Sequence, residues 1–248
     1  MQPPIPQEET ANIHTEDGPM PAFLVRPVTP TSGQVSAVLL VQEAFGVNQQ
    51  MREMSRRLAH EGFLVIAPEF YHREGGGITI PYDEFPKAAL HMAALTDNRM
   101  RSDIAATLAY LEERFSVPAP QVAVIGFCMG GRIAMLAAST PLPLALAVAY
   151  YGGGMVMPKP EFGFTPILDR FTRIECPVKL LFGGKDDSIP PEHIEAIREA
   201  LQSAGKNYEI ILYPEAGHAF ANDDRPDRYH EVSAKDAWQK TLGWLRAV

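Results

Sequence analysis

The stretch Val122-Ala123-Val124-Ile125-Gly126-Phe127-Cys128-Met129-Gly130-Gly131 decides the fold. It opens as an apolar run of strand type, and the small residues over 132–139 read as a helix. Between them lies a turn with glycines two before and two after a cysteine. A dinucleotide fingerprint needs glycine where Cys128 stands. A phosphate-binding loop has the Gly126-to-Gly131 spacing, but Arg132 and Ile133 occupy the places of its lysine and hydroxyl residue. The third reading is a strand-to-helix nucleophile elbow with cysteine in place of serine. Its turn brings the residues two before and two after into backbone contact, which favours a residue without Cβ. Cys128 then stands at a helix N-terminus, where the dipole favours a thiolate. The amide of Met129 points toward a developing oxyanion. The competing reading is a buried structural cysteine in a glycine-rich packing turn.

Outward from the elbow, strands and helices alternate. A strand pair is expected at about 11–26, over 11–14 and 22–26. Continuous apolar runs at 35–42, 63–67, 122–127 and 144–150 read as strands buried on both faces, with further strands at 178–182 and 209–213. Met51, Met54 and Leu58 mark one helix, and Ile104, Leu108, Leu111 and Phe115 another. A helix is expected at about 192–202, and Trp238, Leu242 and Leu245 mark the face of a last one. The fold class is therefore α/β: a mostly parallel, twisted sheet with helices on both faces. The chain of 248 residues is expected to form a single domain, 1–248.

Composition narrows the function. Thirty acidic residues against 22 basic ones give a net charge of −8, with no footprint for nucleic acid or an anionic membrane. Two cysteines, Cys128 and Cys176, form no Cys-x-x-Cys pair. The histidines show no metal-ligand spacing, so neither metal nor other cofactor is expected. The most apolar stretch, 141–151, is too short for a bilayer, and residues 1–10 lack a leader's basic head and apolar core. A cytoplasmic protein is expected, with a monomer the favoured state.

In sheets of this kind ligands sit at the carboxyl ends of the strands. The strand over 178–182 runs into Gly183-Gly184-Lys185-Asp186-Asp187-Ser188-Ile189-Pro190, an acidic turn. The strand over 209–213 runs into Pro214-Glu215-Ala216-Gly217-His218-Ala219-Phe220, a histidine loop. Nucleophile, acid and histidine follow in the order of an α/β-hydrolase triad, each after a strand. Spacing alone leaves Asp186 and Asp187 equivalent.

These stretches, with Gln42-Glu43-Ala44-Phe45-Gly46-Val47-Asn48, resemble the dienelactone hydrolase (carboxymethylenebutenolidase) family of the α/β-hydrolase fold. The likeness runs from about Val35 to the C-terminus. It implies Asp186 rather than Asp187 as the triad acid, because the family's aspartate stands four residues before the turn's proline. It also implies that Glu43 holds the resting cysteine as a thiol, and that the amide of Ala44 joins that of Met129 in an oxyanion hole. One position departs. Members acting on dienelactones carry a carboxylate-gripping arginine four residues after the histidine, where this chain has Asn222. Lys87 is the only cation between Glu74 and Asn98, and Arg225 lies near enough for a loop shift to bring it in. These three are the candidate substrate contacts.

The expected function is hydrolysis of a small lactone or ester through an acyl-enzyme on Cys128, with His218 moving protons and Asp186 orienting it. The alternatives are a general carboxylesterase or thioesterase, a non-catalytic ligand-binding α/β-hydrolase, and a thiol redox sensor at Cys128.

Overall fold

The computed structural model describes residues 5–248. Of the 1–10 segment read above, residues 1–4 lie outside the described residues. A hairpin opens the chain: β1 (Gln7–Thr15) pairs antiparallel with β2 (Gly18–Arg26). The pair is longer than hydrophobicity indicates, because β1 is an edge strand whose outer residues stay polar and exposed. The strand β2 pairs antiparallel with β4 (Leu64–Pro68), and from there β3 (Ala37–Val41), β5 (Val122–Phe127), β6 (Leu146–Tyr150), β7 (Val178–Gly183) and β8 (Tyr208–Tyr213) run parallel. All lie in one eight-stranded sheet of order β1-β2-β4-β3-β5-β6-β7-β8. Every residue of β3, β4, β5 and β6 is buried, as in strands covered by helices on both faces.

The helices follow from their apolar stripes. In α1 (Gln49–His60), Met51, Met54 and Leu58 are buried, and Asn48 caps the start by accepting from the Met51 amide at 3.2 Å. Thr96 caps α3 (Asp97–Phe115) in the same way, with Ile104, Leu108 and Leu111 inward and Phe115 only half-buried. The α5 (Pro191–Ser203) and α6 (Glu231–Ala247) helices bury Ile194, Ile197 and Leu201, and Leu242 and Leu245 respectively. Among the described residues, no helix is long and apolar enough to cross a membrane.

Two helices depart from expectation. The helix α2 (Phe85–Ala94) has no signal in the sequence pattern: it buries only Ala88 and Met92, too few to make a periodic stripe. The helix α4 (Met129–Ala138) starts three residues earlier than sequence patterning places it. Gly130 and Gly131 are poor helix formers, but packing overrides that, since Cβ atoms there would meet Val41 O at 2.4 Å and Tyr150 O at 2.7 Å. The early start makes Cys128 the residue that caps α4.

Candidate active site

The elbow takes the expected strained form. Cys128 has φ 54° and ψ −116°, outside the usual regions, at a cost of roughly 1–3 kcal/mol. The surroundings enforce it. The Cys128 amide donates to Tyr150 O at 3.0 Å, and its carbonyl accepts from Gly131 N at 3.0 Å. A Cβ on Gly126 would lie 1.9 Å from Gly130 O, so a side chain there has no room.

The acid and histidine loops leave the adjacent strands β7 and β8 and cross in backbone contact. Gly184 N donates to Tyr213 O at 2.7 Å and Lys185 N to Ala216 O at 2.8 Å. The side chain of Asp186 has no exposed surface; Oδ1 accepts from Ser188 N at 2.9 Å and Oδ2 pairs with His218 Nδ1 at 2.7 Å. With Nδ1 donating to this carboxylate, Nε2 faces Cys128 Sγ at 3.2 Å. Asp187 is exposed. The structure therefore separates the two aspartates: Asp186 alone reaches His218. Burial pulls the His218 imidazole down, but the Cys128 sulfur and the Asp186 carboxylate outweigh it and hold His218 at about 10. The Asp186 carboxyl is itself held below its ordinary value. Burial raises it, but the bonds to His218 and Ser188 win.

Glu43 leaves the end of β3 and is buried, 2% exposed. Gln42 fixes this turn by accepting from Phe70 N at 3.1 Å. The Glu43 carboxyl receives the Tyr151 hydroxyl on Oε1 at 3.3 Å and the Asn222 amide on Oε2 at 2.9 Å. Burial pushes it above the usual carboxylate range, and His218 and the Asn222 bond only partly oppose this. Among the described residues no hydrogen bond joins Glu43 to Cys128, whose partner is His218. The amides of Ala44 and Met129 have no hydrogen-bond partner there either, so both are free to donate.

Asn222 requires a correction. It does not face the substrate space: at 1% exposure it lies beneath that space, bonded to Glu43 and Tyr82. The turn in which Asn222 N donates to Ala219 O carries the residue inward. Arg225 lines the cavity above the triad with no loop shift, its guanidinium 5.1 Å from the Tyr82 ring centre and 5.6 Å from that of Phe45. Lys87 is exposed, paired with Glu84 at 3.4 Å, and lines neither cavity at Cys128.

Two cavities meet at the Cys128–His218 pair. One, about 340 Å³, is mostly apolar, walled by Phe85, Met92, Met129, Phe162 and Phe164, with Lys159 and Glu161 also in its lining. The other, about 530 Å³, runs along the acid loop and carries Lys185, Arg225 and Arg228 beside Asp186 and Asp187. Cys128 and Cys176 are both free thiols, and burial pushes Cys176 up to about 11.

Sequence reasoning passed over Ser188, Tyr151 and Tyr82. Ser188 carried a signal, since a hydroxyl residue two after an aspartate closes a turn onto the carboxylate. Tyr151 carried one too: it follows β6 at the sheet edge where the other site residues lie, and is fully buried with φ 38°.

A parallel-sheet fold carrying a cysteine elbow, an acid loop and a histidine loop at one edge defines an α/β-hydrolase with a cysteine-nucleophile triad. Comparison narrows this. The sequence profile of the dienelactone hydrolase family matches residues 20–248, and the chain belongs to that family. A Salmonella typhimurium protein assigned as a carboxymethylenebutenolidase is 40% identical over 240 residues, covering 94% of this chain and 85% of that one. A crystal structure of a Klebsiella pneumoniae protein assigned as a dienelactone hydrolase matches at TM-score 0.87 and 36% identity, covering 99% of this chain and 100% of the other. The fold is shared with a dienelactone hydrolase-like promiscuous phosphotriesterase from metagenomic libraries, at TM-score 0.81, 21% identity and 98% of both chains. The protein is a carboxylic ester or lactone hydrolase that works through an acyl-enzyme.

Proposed function

We propose that Cys128 is the nucleophile, His218 the proton carrier and Asp186 its orienting acid, acting on a small lactone or ester without a cofactor. The observation that carries this is the continuous line from Asp186 Oδ2 through His218 to Cys128 Sγ, at 2.7 Å and 3.2 Å. Sulfur attacks the carbonyl carbon, and the oxyanion is received by the amides of Ala44 and Met129. His218 gives its proton to the leaving oxygen as the C–O bond breaks, leaving a thioester. The sulfur is then neutral, so the strongest influence holding His218 up is gone. Neutral Nε2 takes a proton from water, the hydroxide attacks the thioester carbonyl, the C–S bond breaks and the acid product leaves, so Cys128 keeps its sulfur as a thiolate beside the protonated His218.

Arg225 is the candidate grip for a negatively charged substituent. Glu43 acts on the resting thiol from beneath. A general carboxylesterase is the second reading, favoured by the mostly apolar cavity beside Cys128. A single domain agrees with the one continuous sheet. A cytoplasmic location agrees with two free thiols. The test is Cys128→Ala with intact-mass analysis under substrate. The wild type should gain the acyl mass on Cys128, and the variant should show neither adduct nor turnover. Near wild-type turnover in the variant would reject the assignment.

A further inference from the structure

Arg132 follows Cys128 by one helical turn on α4, and it heads the fully buried side chains by size. The triad makes no use of it. A buried guanidinium is tolerated only when its donors are taken up, so its partners show what it holds. Nε donates to Gly154 O at 3.0 Å, one terminal nitrogen to Thr165 O at 2.7 Å, and the other to Asp97 Oδ1 at 2.9 Å. Its charged centre lies 4.6 Å from the centre of the Phe164 ring.

Gly154 and Thr165 are the two ends of the segment that walls the apolar cavity. Between them lie one short 3-10 turn, Pro160–Phe162, and one isolated bridge, Lys159 to Phe164. With so little regular structure, the wall depends on outside anchors, and Arg132 grips both ends at once. The anchoring is tight. Gly154, at φ +71°, leaves the room that Phe164 fills, since a Cβ there would sit 2.6 Å from the ring. A Cβ on Gly152 would lie 2.8 Å from Gly131 C, so the segment starts against the nucleophile's own helix. Asp97 closes the frame, taking Thr165 Oγ1 at 3.0 Å and Arg170 at 2.9 Å on its other oxygen.

Both cavities reach Cys128 and His218. Lys185, Arg225 and Arg228 line only one of them; Met129 and the wall residues Gly153, Gly154, Phe162 and Phe164 line only the other, which is the less charged place for a substituent on the carbonyl that Cys128 attacks. We propose that the apolar cavity is the acyl subsite, suited to an aryl or medium-length alkyl group, and that Arg132 is the positioning residue that holds its wall in register with Cys128.

This rests on Cys128 being the acylated residue, and the experiment keeps the two apart. The purified full chain is assayed on 4-nitrophenyl acetate, butyrate and hexanoate, with acylation of Cys128 followed by mass. In the wild type, kcat/KM should rise from acetate to hexanoate by about tenfold or more, carried by KM, as methylenes leave water for the cavity. Arg132→Lys keeps the charge but cannot span both ends of the wall. The hexanoate-to-acetate ratio should then fall about tenfold, again through KM. Phe164→Leu, a change in the cavity lining itself, should lower the same ratio and tests the subsite; Asp97→Asn, which weakens the Arg132 anchor without touching the lining, should also lower it and decides the role of Arg132 if Arg132→Lys does not fold. A flat wild-type series, or equal loss on all three esters in the variants, overturns the proposal while leaving Cys128 acylation intact. Absence of acylation at Cys128 would instead reject the reading beneath it.

Discussion

Replacing Asp186 by asparagine separates the work of the triad acid from the shape of its loop. The carboxylate has no exposed surface and makes two kinds of contact, Oδ1 to Ser188 N and Oδ2 to His218 Nδ1. An asparagine keeps the first with its oxygen but turns an NH2 donor toward Nδ1. Nδ1 must then accept, so the imidazole proton moves to Nε2, aimed at sulfur 3.2 Å away. The charge-assisted bond is worth about 1.5–3 kcal/mol. That alone is roughly 10- to 100-fold in rate, and the wrong tautomer extends the loss to about 10²–10⁴. The loss should fall mainly on deacylation. Acylation can start from a thiolate, whereas water needs a neutral base at Nε2. Stopped-flow hydrolysis of 4-nitrophenyl acetate should show a burst near one equivalent followed by a slow steady state. The alkaline limb of kcat/KM, set by His218 at about 10 in the wild type, should move to lower pH as the carboxylate's support is removed. Asp187→Asn, on an exposed side chain, should change rate by less than about twofold. A loss below tenfold for Asp186→Asn, or equal losses for the two variants, would refute the triad assignment and leave only a turn.

Gly126→Ala should give insoluble or unfolded protein, with more than about 4 kcal/mol lost by denaturant titration, since the added Cβ would sit 1.9 Å from Gly130 O. A wild-type melt would show that the elbow relaxes freely. Arg225→Ala should raise KM for a carboxylated lactone about tenfold and leave neutral esters of similar size alone; equal effects would remove Arg225 as a grip. The Asp186 carboxyl sits below its ordinary value in the folded protein. Its stabilisation is therefore full above the unfolded value and is lost as pH falls through the folded one, so the stability gap between wild type and Asp186→Asn should close in acid. Glu43→Gln should speed alkylation of Cys128 by iodoacetamide and slow turnover; slower alkylation with unchanged turnover would reduce Glu43 to a loop cap.

What was legible in the chain was whatever has a local cause. The elbow can be read because Gly126 and Gly130 answer a steric demand that few other turns make. Asp186 and His218 can be read because each follows a strand, and strand ends converge in a parallel sheet. What escaped depends on contacts distant in sequence. The helix α2 has no stripe of its own and is held against Phe162 through Phe85. The wall from Gly154 to Thr165 has almost no regular structure and is held by Arg132. In the sequence Arg132 stands only where a phosphate loop would have its lysine, and nothing local shows what it holds. Asn222 was placed by its offset from His218, but the turn after Ala219 directs it inward, and offset alone does not give direction.

The burial of Asn222 changes what Glu43 can be. An arginine at this position would place a fixed positive charge beside the glutamate and hold its carboxyl ionised. Asn222 supplies one neutral donor and Tyr151 another, and neither offsets the removal of the carboxyl from water. Burial therefore wins, and Glu43 sits above the usual carboxylate range. A carboxyl raised in this way loses its charge at a higher pH than an ordinary one, and with it the repulsion that disfavours a thiolate nearby. Cys128 Sγ pairs with His218 Nε2 and makes no hydrogen bond to Glu43, so Glu43 acts on it through charge alone. Protonating Glu43 therefore lifts the opposition to the thiolate, and no charge on the substrate is required for that. This suits an enzyme whose acyl cavity is mostly apolar and whose arginine, Arg225, lines the other cavity and acts on Glu43 only through its charge, too weakly to offset burial.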